Sequence, residues 1–111
     1  MKQLAITLEP FHLEPVKSAL IAIGVSGMTV HIVHEHSPRL ERVDSFRGSQ
    51  YTIDSMPAVI VEVVLDDFKV EQAVHAVRKA TRSQECHGTI SVAPVAEVIR
   101  VRTGERGSSA L

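Results

Sequence analysis

A chain of 111 residues, 44% hydrophobic and 23% charged, suits one small globular domain that buries a limited share of its surface, so self-association would help it. A formal net charge of −1 is too weak to draw nucleic acid or an anionic membrane surface. One cysteine cannot close an internal disulfide, no charged-then-apolar leader opens the chain, and no apolar run nears the roughly 20 residues that span a bilayer, so a cytoplasmic protein without direct membrane insertion is expected. "KQLAITL" alternates, with Leu4, Ile6 and Leu8 on one face, as a half-buried strand does. In "FHLEPVKSALIAIG" Leu13, Val16, Leu20 and Ile23 fall at helical spacing, Pro15 is tolerable near the first turn, and Gly24 suits the left-handed C-terminal position. "GMTVHIVHEH" forms a second strand. "MPAVIVEVVL" is apolar on both faces and so central, and "DFKVEQAVHAVRKATR" puts Val70, Ala73, Val74 and Val77 on one helical stripe behind an Asp67 cap. "GTISVAPV" and "EVIRVRT" are expected as short closing strands, and the tail "GERGSSAL" has little apolar content to dock it.

The two halves repeat. "LEPFHLEPVKSAL" from Leu8 lies in step with "LDDFKVEQAVHAV" from Leu65, matching Leu, an acid, Phe, an aliphatic residue and Glu. Two strand-helix-strand halves in series give βαββαβ, an α+β ferredoxin-like arrangement with an antiparallel sheet and both helices on one face. Between the halves, from about Glu35 to Met56, the chain has no sustained apolar period. A loop of some 20 residues inside a small domain is uncommon and points to function. It carries Tyr51, the one tyrosine of the chain, displayed where no core can hold it.

Four motifs in order resemble the PII signal-transduction family of small trimeric regulators of nitrogen metabolism. The family's "KPF" corresponds to "EPF" (Glu9 to Phe11), its "GMTV" to Gly27 through Val30, its "YRGAEY" to "FRGSQY" followed by Ile53 and Asp54, and its "RIRTGE" to "RVRTGE" from Arg100 to Glu105. The resemblance runs nearly end to end and implies one domain over residues 1–111, assembled as a homotrimer. It implies a partner-binding T-loop at about 36–56, a B-loop at about 82–88 and a C-terminal loop at about 102–111. It further implies a regulator, not an enzyme, that binds adenine nucleotide (ATP, ADP or AMP) in clefts between subunits and controls a transporter or metabolic enzyme. The positions that match the family's nucleotide cleft are Gly27, Met28, Thr29, Ser37, Glu62, Val64, His87, Gly88, Arg100 and Arg102. In a strand, Arg100 and Arg102 would share a face and their guanidinium groups could converge on one phosphate, though a solvated face with carboxylate partners accounts for the spacing equally well.

The departures from the family are specific. Its "GFGRQKG" reads "EHSPRLE" from Glu35 to Glu41, the lysine after the loop proline is Ala58, and the B-loop segment "SQECHGTISV" has His87 for a glycine and Thr89 for a lysine. The first two changes remove neutral and cationic ligands and count against magnesium and 2-oxoglutarate, while the B-loop changes leave fewer phosphate contacts and suggest weaker binding or a preference for a nucleotide with fewer phosphates. Arg47 and Tyr51 match positions that contact partners or are modified in the family, while differences at Phe46, Ser49 and Gln50 favour packing of Tyr51 over its uridylylation.

The histidines pose a separate question. His34 and His36 have the same parity at the end of a strand and could begin a zinc or copper site completed by Glu35, Glu41 or a neighbouring subunit's His87, which suggests a regulator of metal transport or metal sensor as the alternative; a polar strand end is the plainer account. His12 and His75 lie off the apolar stripes and are expected in solvent. The adjacent Cys86 and His87 have no necessary geometry for catalysis.

Overall fold

Alternation in the opening segment produces strand β1 (Lys2–Leu8), with Leu4, Ile6 and Leu8 buried on one face. In this computed structural model the described residues are 1–36, 42–46, 48–53 and 55–111, with side chains described outside 37–47 and 51–54. A 3-10 turn (Pro10–His12) leads into helix α1 (Leu13–Ala22), which buries Val16 and Leu20 and ends at Gly24 with φ 94°. That positive φ lets the chain reverse, and the Val25 N–H returns to the Leu20 carbonyl at 3.1 Å.

Strands β2 (Thr29–His36), β3 (Arg42–Phe46), β4 (Ser49–Ile53) and β5 (Ser55–Leu65) follow. A second 3-10 turn (Asp67–Lys69) opens helix α2 (Val70–Ala80), and β6 (Thr89–Pro94) completes the sheet. The main sheet has the antiparallel order β2-β5-β1-β6, with β5 and β1 central, the α+β ferredoxin-like arrangement expected. Val59, Val61, Val63 and Leu65 of β5 join Leu4, Ile6, Leu8, Val16, Leu20, Ala73 and Val77 in one core under the helices. Period-2 patterning on the strands and helical spacing on α1 and α2 meet in that layer. The internal repeat is real in three dimensions: each half ends a strand, makes one 3-10 turn carrying a Phe, and enters its helix.

Several expectations change. The segment between the halves is not simply a loop: β2 and β5 pair as far as His36↔Ser55, and β3 pairs with β4 in a separate two-stranded ribbon whose turn holds Gly48 at φ 82°. Pro57 is tolerated because it lies beyond the last β1 rung, Leu8↔Val59, where β5 has one neighbour. "EVIRVRT" is not a strand. β6 already forms the sheet edge and the chain turns away after Pro94, leaving one isolated bridge, Ile99↔Arg106. The tail does dock: it forms a short 3-10 turn (Gly107–Ala110), with Ser108 Oγ donating to Asp66 Oδ1 at 2.5 Å.

In α2, Ala76 is buried and Val74 only partly so. Asp67 is no helix cap. Its carboxylate lies 3.0 Å from the Met1 amine and 3.9 Å from Lys2 Nζ, and hydrogen bonding to that amine, with Lys2 beside it, holds its carboxyl below the usual 3.8. A depressed native value stabilises the fold above the ordinary value, and that contribution is lost as pH falls through the depressed one. Asp67→Asn should therefore lower the thermal midpoint slightly at neutral pH, in a salt-sensitive way, and leave it unchanged in strong acid, as calorimetry across pH would record.

Candidate functional site

The loop from Gly24 to Met28, the start of β2 and the end of β5 enclose a cleft of about 510 Å³. Five of the expected nucleotide-binding residues line it together: Gly27, Met28, Thr29, Glu62 and Val64. Thr29 and Glu62 are cross-strand partners, which is why residues far apart in sequence meet here. Glu62 projects from the sheet face away from the helices, where it accepts from Gln3 Nε2 at 3.4 Å and lies 3.4 Å from His31 Nε2.

Gln3, Lys69 and Leu111 are among the cleft residues that escaped sequence analysis. Lys69 sits in the turn before α2 and donates to the Ile23 carbonyl at 3.1 Å, with its ammonium only 2.9 Å from where a Cβ on Gly24 would stand. The repeat could have revealed it, since Lys69 is the counterpart of His12.

Arg100 and Arg102 lie at a turn, not on one strand face. The Arg100 N–H donates to Glu105 O at 2.9 Å, Gly104 N–H donates back to Arg100 O at 2.7 Å, and Gly104 has φ 75°. The Arg100 guanidinium holds the tail carbonyls of Ala110 and Leu111 at 3.4 and 3.3 Å, and thereby borders the cleft that Leu111 lines. Arg102 is exposed on the same turn.

His87 and Gly88 lie elsewhere. Gly88 follows the loop after α2 and precedes the Thr7↔Thr89 rung, so close to β1 that a Cβ there would stand 2.0 Å from the Thr7 carbonyl oxygen. His87 donates its N–H to Glu9 Oε1 at 3.0 Å, with its Nδ1 3.1 Å from the same oxygen and its Nε2 3.2 Å from Glu85 Oε1. Burial pushes the Glu9 carboxyl up, but the His87 hydrogen bonds and the nearby His12 outweigh it and leave it below its ordinary value. Glu9 and His87, together with Pro10, Phe11, Glu35, Met56 and Pro57, line a second hollow of about 490 Å³ at the foot of the β2–β5 extension.

A family model described as Nitrogen regulatory protein P-II matches residues 1–105. The chain belongs to the P-II family. Over 112 aligned positions that cover the whole of both chains, it is 38% identical to a protein of that name from Azospirillum brasilense, 40% to one from Cereibacter sphaeroides and 38% to one from Nostoc punctiforme.

Within this P-II chain the T-loop positions Ser37 and Arg47 lie outside the described residues, as does the side chain of Tyr51, whose backbone belongs to β4. His34 and His36 are exposed at the end of β2, opposite Pro57 and Ser55. Among the described residues the donors that do converge are different: Glu9, His12 and Cys86. His12, expected in solvent, is buried beneath the loop after α2. Burial and the adjacent Glu9 hold the Cys86 thiol above its ordinary range, opposite to an activated nucleophile. Among the described residues no helix is long and apolar enough to cross a membrane.

Proposed function

We propose that this chain is a P-II-type regulator that assembles as a homotrimer, binds adenine nucleotide in clefts between subunits, and controls a transporter or metabolic enzyme through its T-loop. One observation carries this most directly. The cleft around Gly27 to Thr29, Glu62 and Val64 lies on one side of β1 and the B-loop residues His87 and Gly88 on the other, as two halves of one intersubunit site would. Val64 pairs with Gln3 of β1, and Thr89, next to Gly88, pairs with Thr7, four residues or roughly 13 Å along the strand, with β5 and β6 flanking β1 on either side. A neighbouring copy would bring one half-site against the other.

The surface supports association. The sheet face away from the helices carries Ala5, Val33, Ile60 and Val64, and the outer strand β2 exposes Ile32 by 84%. Ligand contacts made in one loop conformation and not another would shift the T-loop population, which is regulation without turnover.

The test is calorimetric titration with ATP, ADP and AMP, each with and without magnesium and 2-oxoglutarate, alongside light scattering. The expected result is a trimer with micromolar adenine-nucleotide binding that Glu62→Lys weakens at least about tenfold, and ATP affinity that 2-oxoglutarate leaves unchanged, given the altered residues from Glu35 to Glu41 and Ala58. A monomer, or no nucleotide binding by any of the three, would sink the proposal.

A further inference from the structure

We propose that Glu9, His12 and Cys86 form a binding site for one thiophilic divalent metal ion of the zinc class. Glu9 follows β1, His12 closes the first 3-10 turn, and Cys86 comes from the loop after α2; their donor atoms all lie within 4.8 Å of one another. Ligands about 2.0–2.3 Å from a tetrahedral zinc stand about 3.3–3.8 Å apart, so small side-chain adjustments close the set.

The site is prepared in two respects. The His12 side chain is only 4% exposed, and Glu9 Oε2 is buried without a hydrogen-bond partner. A buried acceptor without a donor is costly, and a cation would satisfy it. The other half of the repeat shows what is missing: there Lys69 supplies a positive charge and hydrogen-bonds the Ile23 carbonyl. Its counterpart His12 has only a long contact, 3.4 Å, to the Glu85 carbonyl, and its Nε2 is 3.9 Å from Glu9 Oε2. An imidazole and an orphan carboxylate oxygen thus face a thiol where the sister site holds a cation.

The outer contacts also suit a metal. His87 occupies Glu9 Oε1 through its N–H and Nδ1, which leaves Oε2 for the ion and fixes the carboxylate's orientation. One carboxylate and one thiolate neutralise a divalent charge, and the neutral imidazole completes three protein ligands with a fourth position for water. Thiolate with imidazole selects zinc-like ions over magnesium or calcium. Binding would release the Cys86 thiol proton to solvent.

Cobalt(II), a spectroscopic substitute for zinc, tests this on the full chain without nucleotide, so the result is independent of the nucleotide proposal. The expected outcome is one ion per chain, a thiolate-to-cobalt charge-transfer band, and bleaching of that band by zinc. Cys86→Ser, nearly isosteric, should abolish the band, and Glu9→Gln should weaken binding at least about tenfold, while a His34→Gln/His36→Gln variant keeps both band and affinity. Circular dichroism checks folding; if Cys86→Ser fails to fold, the charge-transfer band itself still identifies the sulfur ligand and Glu9→Gln the oxygen. Absence of the band in the parent chain, its persistence in Cys86→Ser, undiminished affinity in Glu9→Gln, or its loss in the His34/His36 variant would each overturn the proposal.

Discussion

Gly88→Ala should be the most damaging single-methyl addition in the chain, costing about 3 kcal/mol or more of stability. The added carbon would lie 2.0 Å from the Thr7 carbonyl oxygen, 3.1 Å from the Thr7 carbonyl carbon and 3.3 Å from Cys86 Sγ. A flexible side chain could yield; the Thr7 carbonyl is strand backbone, tied into the β1–β6 ladder at the Thr7↔Thr89 rung. The variant must therefore either part that rung or push the B-loop outward, and both remove His87 from Glu9. Urea denaturation at fixed protein concentration should show the lost stability, and hydrogen exchange should show protection lost first at Thr7 and Thr89. Gly27→Ala is the informative control. Beyond its own chain neighbours nothing lies within 4 Å of its added carbon, so stability should change by less than about 0.5 kcal/mol; an equal loss in both variants would refute the steric account.

Leu20→Ala should cost about 2–5 kcal/mol, with the spread set by how far the core can collapse onto the cavity. Leu20 is fully buried in the layer between α1 and the sheet, and its carbonyl accepts the Val25 N–H that closes the helix. Deleting the side chain empties the space beside Val16 and loosens the segment leading to Gly27 and Met28, so the cleft should suffer along with stability. Denaturation midpoints compared at one protein concentration give the first quantity, because unfolding of an oligomer depends on concentration. A loss under 1 kcal/mol would mean the core repacks around the gap.

Elements that meet the core were legible in the sequence. β1, α1 and β5 each bury a face, so their apolar residues recur with the period of the backbone, and the repeat from Leu8 and Leu65 fixed their order. β3 and β4 pair with each other, apart from the main sheet, so "RVDSF" and "SQYTI" carry no core-facing alternation to read. "EVIRVRT" misled for the opposite reason. It alternates well, but a strand also needs an edge to join, which local pattern does not reveal. Asp67 looked like a cap because it precedes the helix, whereas its partners come from the other end of β1. Gly27 to Thr29, Glu62 and Val64 do line one cleft, whereas Cys86 is separated from Glu9 and His12 by most of the chain and only folding joins them.

The unbroken ladder from Thr29↔Glu62 to His36↔Ser55 has a mechanical consequence. One end of it walls the 510 Å³ cleft, and the other carries Glu35 and Met56 into the hollow beside His87. Paired strands are stiff along their length and cannot slip by one residue without turning every side chain over. In a ring of copies each ladder would then act as a push-rod between successive clefts, so that filling one changes the affinity of the next, and stepwise rather than identical binding constants would be its signature.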